Sequence, residues 1–464
     1  MSHQHVAIRN AKELSKPKIM MLGFQHLFAM FGATILVPLL VNKYFNGEGI
    51  SIQVTLMCAG LGTLLFHVCT KLKVPAFLGS SFAYLGGFET ISKLSAGKYA
   101  HMPMHDKVSY ACGGIVVAGL MYLVLALIIK LVGVKKVMRY LPPVVTGPII
   151  ICIGLSLAPS AIANASSNWT LALIALCVVI IFNIWGKGMF KIIPILMGVV
   201  ISYGAALLMH AAGFTNTDGS AIFDFSNVAA TSLVGLPPFT LCKFDITSIL
   251  VMAPIAIATM MEHIGDISAI SATVNENFIE DPGLHRTLLG DGLATALAGM
   301  FGGPANTTYG ENTGVLELSH VYDPMVVRIA ACFAVALSFF PKAAGLIGTM
   351  PSAIIGGISF ILYGMISAIG VRNIVENEVD FTHSRNLIIA AVILVSGLGF
   401  SKGITFTVGG TSITLTSLAI AALSGVLLNA FLPGNEYEFG QNPIGDISRG
   451  LGINPQNSET RDKE

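Results

Sequence analysis

Apolar segments long enough to cross a bilayer recur along this whole chain. The first, MLGFQHLFAMFGATILVPLLV from Met21, is followed by others to about fourteen in all. Their approximate starts fall near residues 19, 51, 75, 109, 141, 169, 191, 247, 287, 304, 325, 346, 385 and 412. Hydrocarbon offers the backbone no hydrogen-bond partners, so such segments fold as helices packed into a bundle. The expected class is an all-α polytopic membrane protein. Charged residues make up only 11% of the chain, where soluble domains carry about 25%. A net charge of +1 gives no electrostatic footprint for a nucleic-acid partner. The seven cysteines form no CxxC pair, so neither a disulfide framework nor a metal site is expected. The polar start, MSHQHVAIRNAKELSKPK, has no cleavable signal pattern.

An even number of spans puts both termini on one side. With that side cytoplasmic, 19 of the 26 lysines and arginines face the cytoplasm and seven do not, as the positive-inside rule requires. The expected layout is a cytoplasmic tail over 1–18, a transporter domain over 19–433 and a cytoplasmic tail over 434–464, in the cytoplasmic (inner) membrane.

The chain also echoes itself. GLGTLL from Gly60 and GLATAL from Gly292 lie 232 positions apart, half the chain length. Each precedes a segment broken by proline: PAFLGSSFAY from Pro75 and PANTTYGEN from Pro304. LPPVVTGPI from Leu141 is echoed by MPSAIIGGI from Met350. Seven spans per half is an odd number, so the second copy would be inverted. Inverted repeats with helices broken at matching places point to a transporter whose site lies between the repeats.

The polar residues inside these spans carry the functional reading. Irregular backbone at membrane depth survives only when buried in protein or lining a cavity. The two broken segments are therefore expected to meet, and helices leaving them would aim N–H groups at whatever lies between. Glu311 brings a carboxylate there, with Asn312 beside it. In TMMEHIGDISA, Glu262 and Asp266 are four residues apart and share a helix face, with His263 on another. Ionisable groups within spans are costly and mark functional sites. Phe82 and Tyr309 offer flat aromatic surface at the two breaks, with Ser81 beside Phe82. His26, a lone histidine in the first span, reads as a helix-to-helix hydrogen-bonding group before a ligand. Acceptor carboxylates, donor N–H groups and an aromatic wall suit a planar, amide-like ring. These features do not choose between a nucleobase and another neutral polar ligand.

QHLFAMFGATILVPLL, KVPAFLGSSFAY, EHIGD, DPGLHR and NTTYGEN resemble segments of the bacterial uracil permeases, in the nucleobase–ascorbate transporter family, also called nucleobase:cation symporters. The similarity runs from about Leu22 through the last span. The family signature begins Glu311-Asn312-Thr313-Gly314 and ends here in Ser319-His320, where Thr and then Arg, Lys or Gly are usual. Purine and urate members usually carry Gln at Glu311, so Glu favours the uracil branch. The resemblance implies a seven-plus-seven inverted repeat, with short antiparallel strands in segments 3 and 10. It implies a core domain, mainly 19–158 and 247–370, and a gate domain, mainly 169–212 and 346–433. It implies that Glu262 and Glu311 bind the base, that Phe82 and Gly310 donate backbone N–H groups, and that Tyr309 lines the pocket. Ser81, Asn312, Tyr363 and His26 would support it. Asp266 stands where some relatives have His, and is expected to join Glu262 and Glu311 in proton coupling. A homodimer is also implied.

The expected function is secondary active import of uracil with protons, by alternating access, with no cofactor besides the coupling proton. The alternatives are transport of another nucleobase (xanthine, urate or another pyrimidine) and an anion transporter or channel of the same architecture. A channel would need a polar stripe through many spans, and polar clusters occur in few. An anion site would be repelled by Glu311. An enzyme would need a nucleophile–base or metal set, and none is evident.

Overall fold

The computed structural model describes residues 7–225, 228, 231–408, 411–435, 437 and 439. Most of the expected C-terminal tail, 434–464, therefore lies outside the described residues. The chain is a multi-pass membrane protein. Among the described residues, seven helices are long and apolar enough to cross a membrane, and a pair bent by 87°, Pro324–Leu337 with Pro341–Gly348, makes an eighth. Three further apolar helices are shorter: Trp169–Trp185, Ser384–Gly399 and Ser417–Phe431.

The helices sort into two packed groups. The first contains α1 (Lys16–Tyr44), α2 (Ile52–Cys69), α3 (Leu85–Ser92) and α4 (Met104–Val132). The second takes up the chain at α5 (Pro143–Ser156), α6 (Ala158–Ala165), α7 (Trp169–Trp185) and α8 (Pro194–Ala211). The first group resumes with α9 (Ile246–Met252), α10 (Ile255–Val274), α11 (Leu284–Met300), α12 (Gly310–Ser319) and α13 (Pro324–Leu337), followed by α14 (Pro341–Gly348). The second is completed by α15 (Ser352–Glu376), α16 (Ser384–Gly399) and α17 (Ser417–Phe431). Along the chain the first change of group falls between α4 and α5. The groups meet where α1 packs on α8 and where α10 packs on α5 and α17.

Two short strands sit inside the first group. β1 (Leu78–Ser80) pairs antiparallel with β2 (Asn306–Thr308), with Leu78 opposite Thr308 and Ser80 opposite Asn306. Both are wholly buried. Buried strands of three residues leave backbone groups that water would otherwise satisfy. The echoed motifs supply the partners. Thr63 Oγ1, in GLGTLL, accepts from Leu78 N at 2.9 Å, and its one proton has Ala59 O at 2.8 Å and Leu78 O at 3.2 Å as acceptors. Thr295 Oγ1, in GLATAL, accepts from Asn306 N at 3.2 Å and donates to Asn306 O at 3.0 Å. One threonine per copy thus holds one end of each strand.

A second hairpin joins β3 (Ile404–Val408) to β4 (Thr411–Leu415), ahead of α17. The described part of the N-terminal tail is docked rather than loose: Ile8 bridges to Val321, and Arg9 pairs with Glu276.

Candidate functional site

The strand crossing fixes where two helices begin. Ser81 N donates to Ala305 O at 2.8 Å and Tyr309 N to Phe77 O at 3.0 Å, so the pairing ends there on each chain. Phe82 opens the short turn leading into α3, and Gly310 opens α12. Glu311 lies in the first turn of α12, where N–H groups have no intrahelical acceptor and favour negative charge.

The cavity formed at this crossing has a volume of about 540 Å³. Phe82, Glu262, Asp266, Tyr309, Gly310 and Glu311 all line it. Its facing wall comes from the second helix group, including Ile150 of α5 and Ile369 of α15. Lys191, Arg372, Glu376 and Asn377 line its outer part. Glu262, Asp266 and Glu311, from two helices, therefore converge on one space between the groups. One Glu262 oxygen, Oε2, is buried without a hydrogen-bond partner. Asp266 is tied down instead: Oδ2 accepts from Thr308 Oγ1 of β2 at 2.7 Å. The α10 face and the strand are thus coupled through one hydrogen bond.

Tyr309 does more than line the cavity. Its hydroxyl donates to Ser80 O at 2.9 Å, and Thr34 Oγ1 lies 3.4 Å from it. Ser80 Oγ in turn donates to Thr34 O at 2.9 Å. This hydroxyl cluster ties α1, β1 and the start of α12 together. It also explains Gly79. A Cβ there would lie 2.4 Å from the Tyr309 ring and 2.8 Å from Thr34 Oγ1.

The remaining expected residues sit around the cavity rather than in its wall. Asn312 turns back to α1, where its Nδ2 donates to His26 O at 2.9 Å and lies 3.2 Å from His26 Nδ1. His26 itself is fully buried. Tyr363 of α15 meets Phe82 edge-on, with ring centroids 5.8 Å apart, so the two rings join the helix groups at the crossing. The Ser81 hydroxyl is buried without a partner. Among the described residues, no cluster of His, Cys, Asp and Glu has the arrangement of a metal site.

One buried charge escaped the sequence reading. Asp291 of α11 is fully buried, with Oδ2 2.8 Å from His263 Nδ1. The signal was present: an aspartate inside the apolar run GDGLATALAG is as exceptional as Glu262.

Comparison with known proteins agrees with this architecture. Residues 17–406 match a permease family. A uracil permease of Bacillus caldolyticus is 41% identical over 428 residues, covering 89% of this chain and 91% of that one. A uracil permease of Bacillus subtilis is 39% identical, covering 89% and 92%. Among solved structures, the transmembrane domain of the cyanobacterial bicarbonate transporter BicA superposes with a TM-score of 0.58 at 16% identity, over 82% of this chain and 96% of that one. At that identity the likeness speaks for the fold alone. These relatives are permeases and not enzymes, and this chain belongs to their permease family.

Proposed function

We propose that this protein imports uracil across the cytoplasmic membrane together with protons. The observation that carries the reading is the convergence of Glu262 and Glu311 on one cavity, at the start of a helix that emerges from a buried strand crossing. Uracil presents ring N–H donors and carbonyl acceptors in one plane. The carboxylates accept the former, and the N–H groups of Phe82 and Gly310 suit the latter. The likeness to uracil permeases supports the choice of base.

Proton coupling follows from charge. Three carboxylates around one cavity repel each other when all are ionised, so a bound proton lowers the cost of the loaded state. No lysine or arginine lies beside Glu262 or Asp266 in sequence to offset that charge. The same carboxylates disfavour an anionic substrate, although BicA shares the fold.

In this reading the first helix group is the core that carries substrate and the second is the gate. Counting the two strand–helix segments and α11 as spans brings the total to the expected fourteen. The cavity runs toward Lys191 and Arg372, on the side to which the basic residues assign the cytoplasm, so the structure would represent an inward-facing state. The test is uptake of radiolabelled uracil by cells lacking their own uracil transport, with unlabelled bases as competitors. Uracil should compete and xanthine should not. Uptake into proteoliposomes should follow an inward proton gradient and collapse with a protonophore. Uptake driven by a sodium gradient at fixed pH would refute the coupling.

A further inference from the structure

We infer that the buried His263–Asp291 contact is a pin that sets the rotation of α10, making both residues positioning residues for Glu262. The inference rests on the reading that Glu262 contacts substrate. Both side chains are completely buried, and their closest atoms are 2.8 Å apart. At that distance the imidazole and the carboxylate are in direct contact. The surroundings are aromatic. Phe66 of α2 and Tyr122 of α4 flank the imidazole, with ring centroids 6.3 and 6.5 Å away. No lysine or arginine pairs with Asp291 there, so His263 is its charge partner among the described residues.

The geometry of the helix converts this pin into a positional constraint. Successive residues are about 100° apart around an α-helix. Glu262 faces the cavity, and the next residue, His263, therefore points toward α11. Asp266, a turn further on, returns to the cavity. α10 and α11 touch over only a short stretch, so a strong contact there carries much of their mutual orientation. Elsewhere α10 is held by packing on α5 and α17, by the hydrogen bond from Thr308 to Asp266 and by the Tyr84–Thr259 contact, and the pin adds a buried contact to a carboxylate on its α11 side. Removing one member of a buried pair leaves an uncompensated charge, whereas removing both charges together can cost little. Asp291→Asn or His263→Gln alone should thus disturb Glu262 more than the double change does.

The experiment is a double-mutant cycle on the purified full chain, with uracil binding measured by calorimetry. Each single variant should bind at least tenfold more weakly, with the number of sites per chain unchanged. The double variant should return to within about threefold of wild type. Misfolding would lower the number of sites, whereas mispositioning lowers the affinity of each. A double variant no better than the weaker single would overturn the inference, as would single variants with wild-type affinity. If a single variant cannot be purified, Asp291→Glu in cells serves instead. It keeps the charge on a longer stem and should raise KM for uptake more than it lowers the maximal rate at equal protein level. An unchanged KM would also overturn the inference. Wild type that fails to bind uracil would refute the transport reading instead. The pin would then be judged by thermal midpoints, which should fall in both singles and recover in the double.

Discussion

Replacing Glu262 with glutamine changes almost nothing about the shape of the cavity and one thing about its chemistry. The carboxylate presents two acceptor oxygens, while the amide presents one acceptor and an NH₂ donor. Oε2 of Glu262 has no protein partner, so the site holds a buried acceptor ready for a donor from the cavity side. A ring N–H of uracil placed there would make a hydrogen bond to a charged group, a class that contributes about 1.5–3 kcal/mol. In Glu262→Gln that bond becomes a neutral one or faces another donor. Uracil binding should therefore weaken at least about tenfold, since each 1.4 kcal/mol is a factor of ten. Calorimetry on purified wild type and variant reads this directly. The thermal midpoint without substrate should stay close to wild type, because no protein hydrogen bond to Oε2 is lost. Wild-type affinity in the variant would show that Glu262 does not contact the base.

Four further outcomes follow. Glu311→Gln should lose uracil binding by about 1–3 kcal/mol, by mismatching a buried ring N–H, without gaining robust xanthine uptake, because the wall formed by Phe82 and Tyr309 still sets the shape; binding of both bases to the purified variant tests it. Thr308→Val keeps the volume of β2 but removes the 2.7 Å hydrogen bond to Asp266, so the thermal midpoint should drop by the equivalent of about 1–3 kcal/mol. Gly79→Ala drives a methyl group into the Tyr309 ring, and overpacking of that kind costs about 1–3 kcal/mol, so both folded yield and uptake should fall. Asp245 caps α9, accepts from Tyr99 Oη at 2.8 Å and pairs with Lys98; burial pushes its carboxyl up, but Lys98, Tyr99 and the Thr247 N–H outweigh this and hold it below its usual value. A carboxyl lowered by folding contributes stability above its unfolded pKa and loses it as pH falls through the folded one, so wild type should lose midpoint below about pH 4 and Asp245→Asn should lose less.

The two breaks, and their meeting, were legible in the residues because the physical requirements are local, whereas the strands were implied by the resemblance. Pro75 and Pro304 interrupt helix, and Gly79, Ser80 and Ser81 after the first and Asn306, Thr307 and Thr308 after the second are small or polar where hydrocarbon demands satisfied backbone. The GLGTLL and GLATAL echo was legible as a repeat but not as a mechanism. Only the structure makes Thr63 and Thr295 the partners of Leu78 and Asn306. Tyr309 shows the same limit. Residue type marked it as a flat wall, yet its hydroxyl ends on the Ser80 carbonyl, a partner 229 positions away. Asn312 likewise spends its amide on His26. Sequence periodicity assigns a residue to a face of its own helix, as it did for Glu262 and Asp266, but cannot say which other helix meets the opposite face. His263 stood about 100° round the helix from Glu262, and its meaning depended on Asp291 of another helix. A buried charge in an apolar run is therefore half of an inference from sequence. It announces that a partner exists, because an unpaired charge there would be too costly, and leaves the partner to be found by packing.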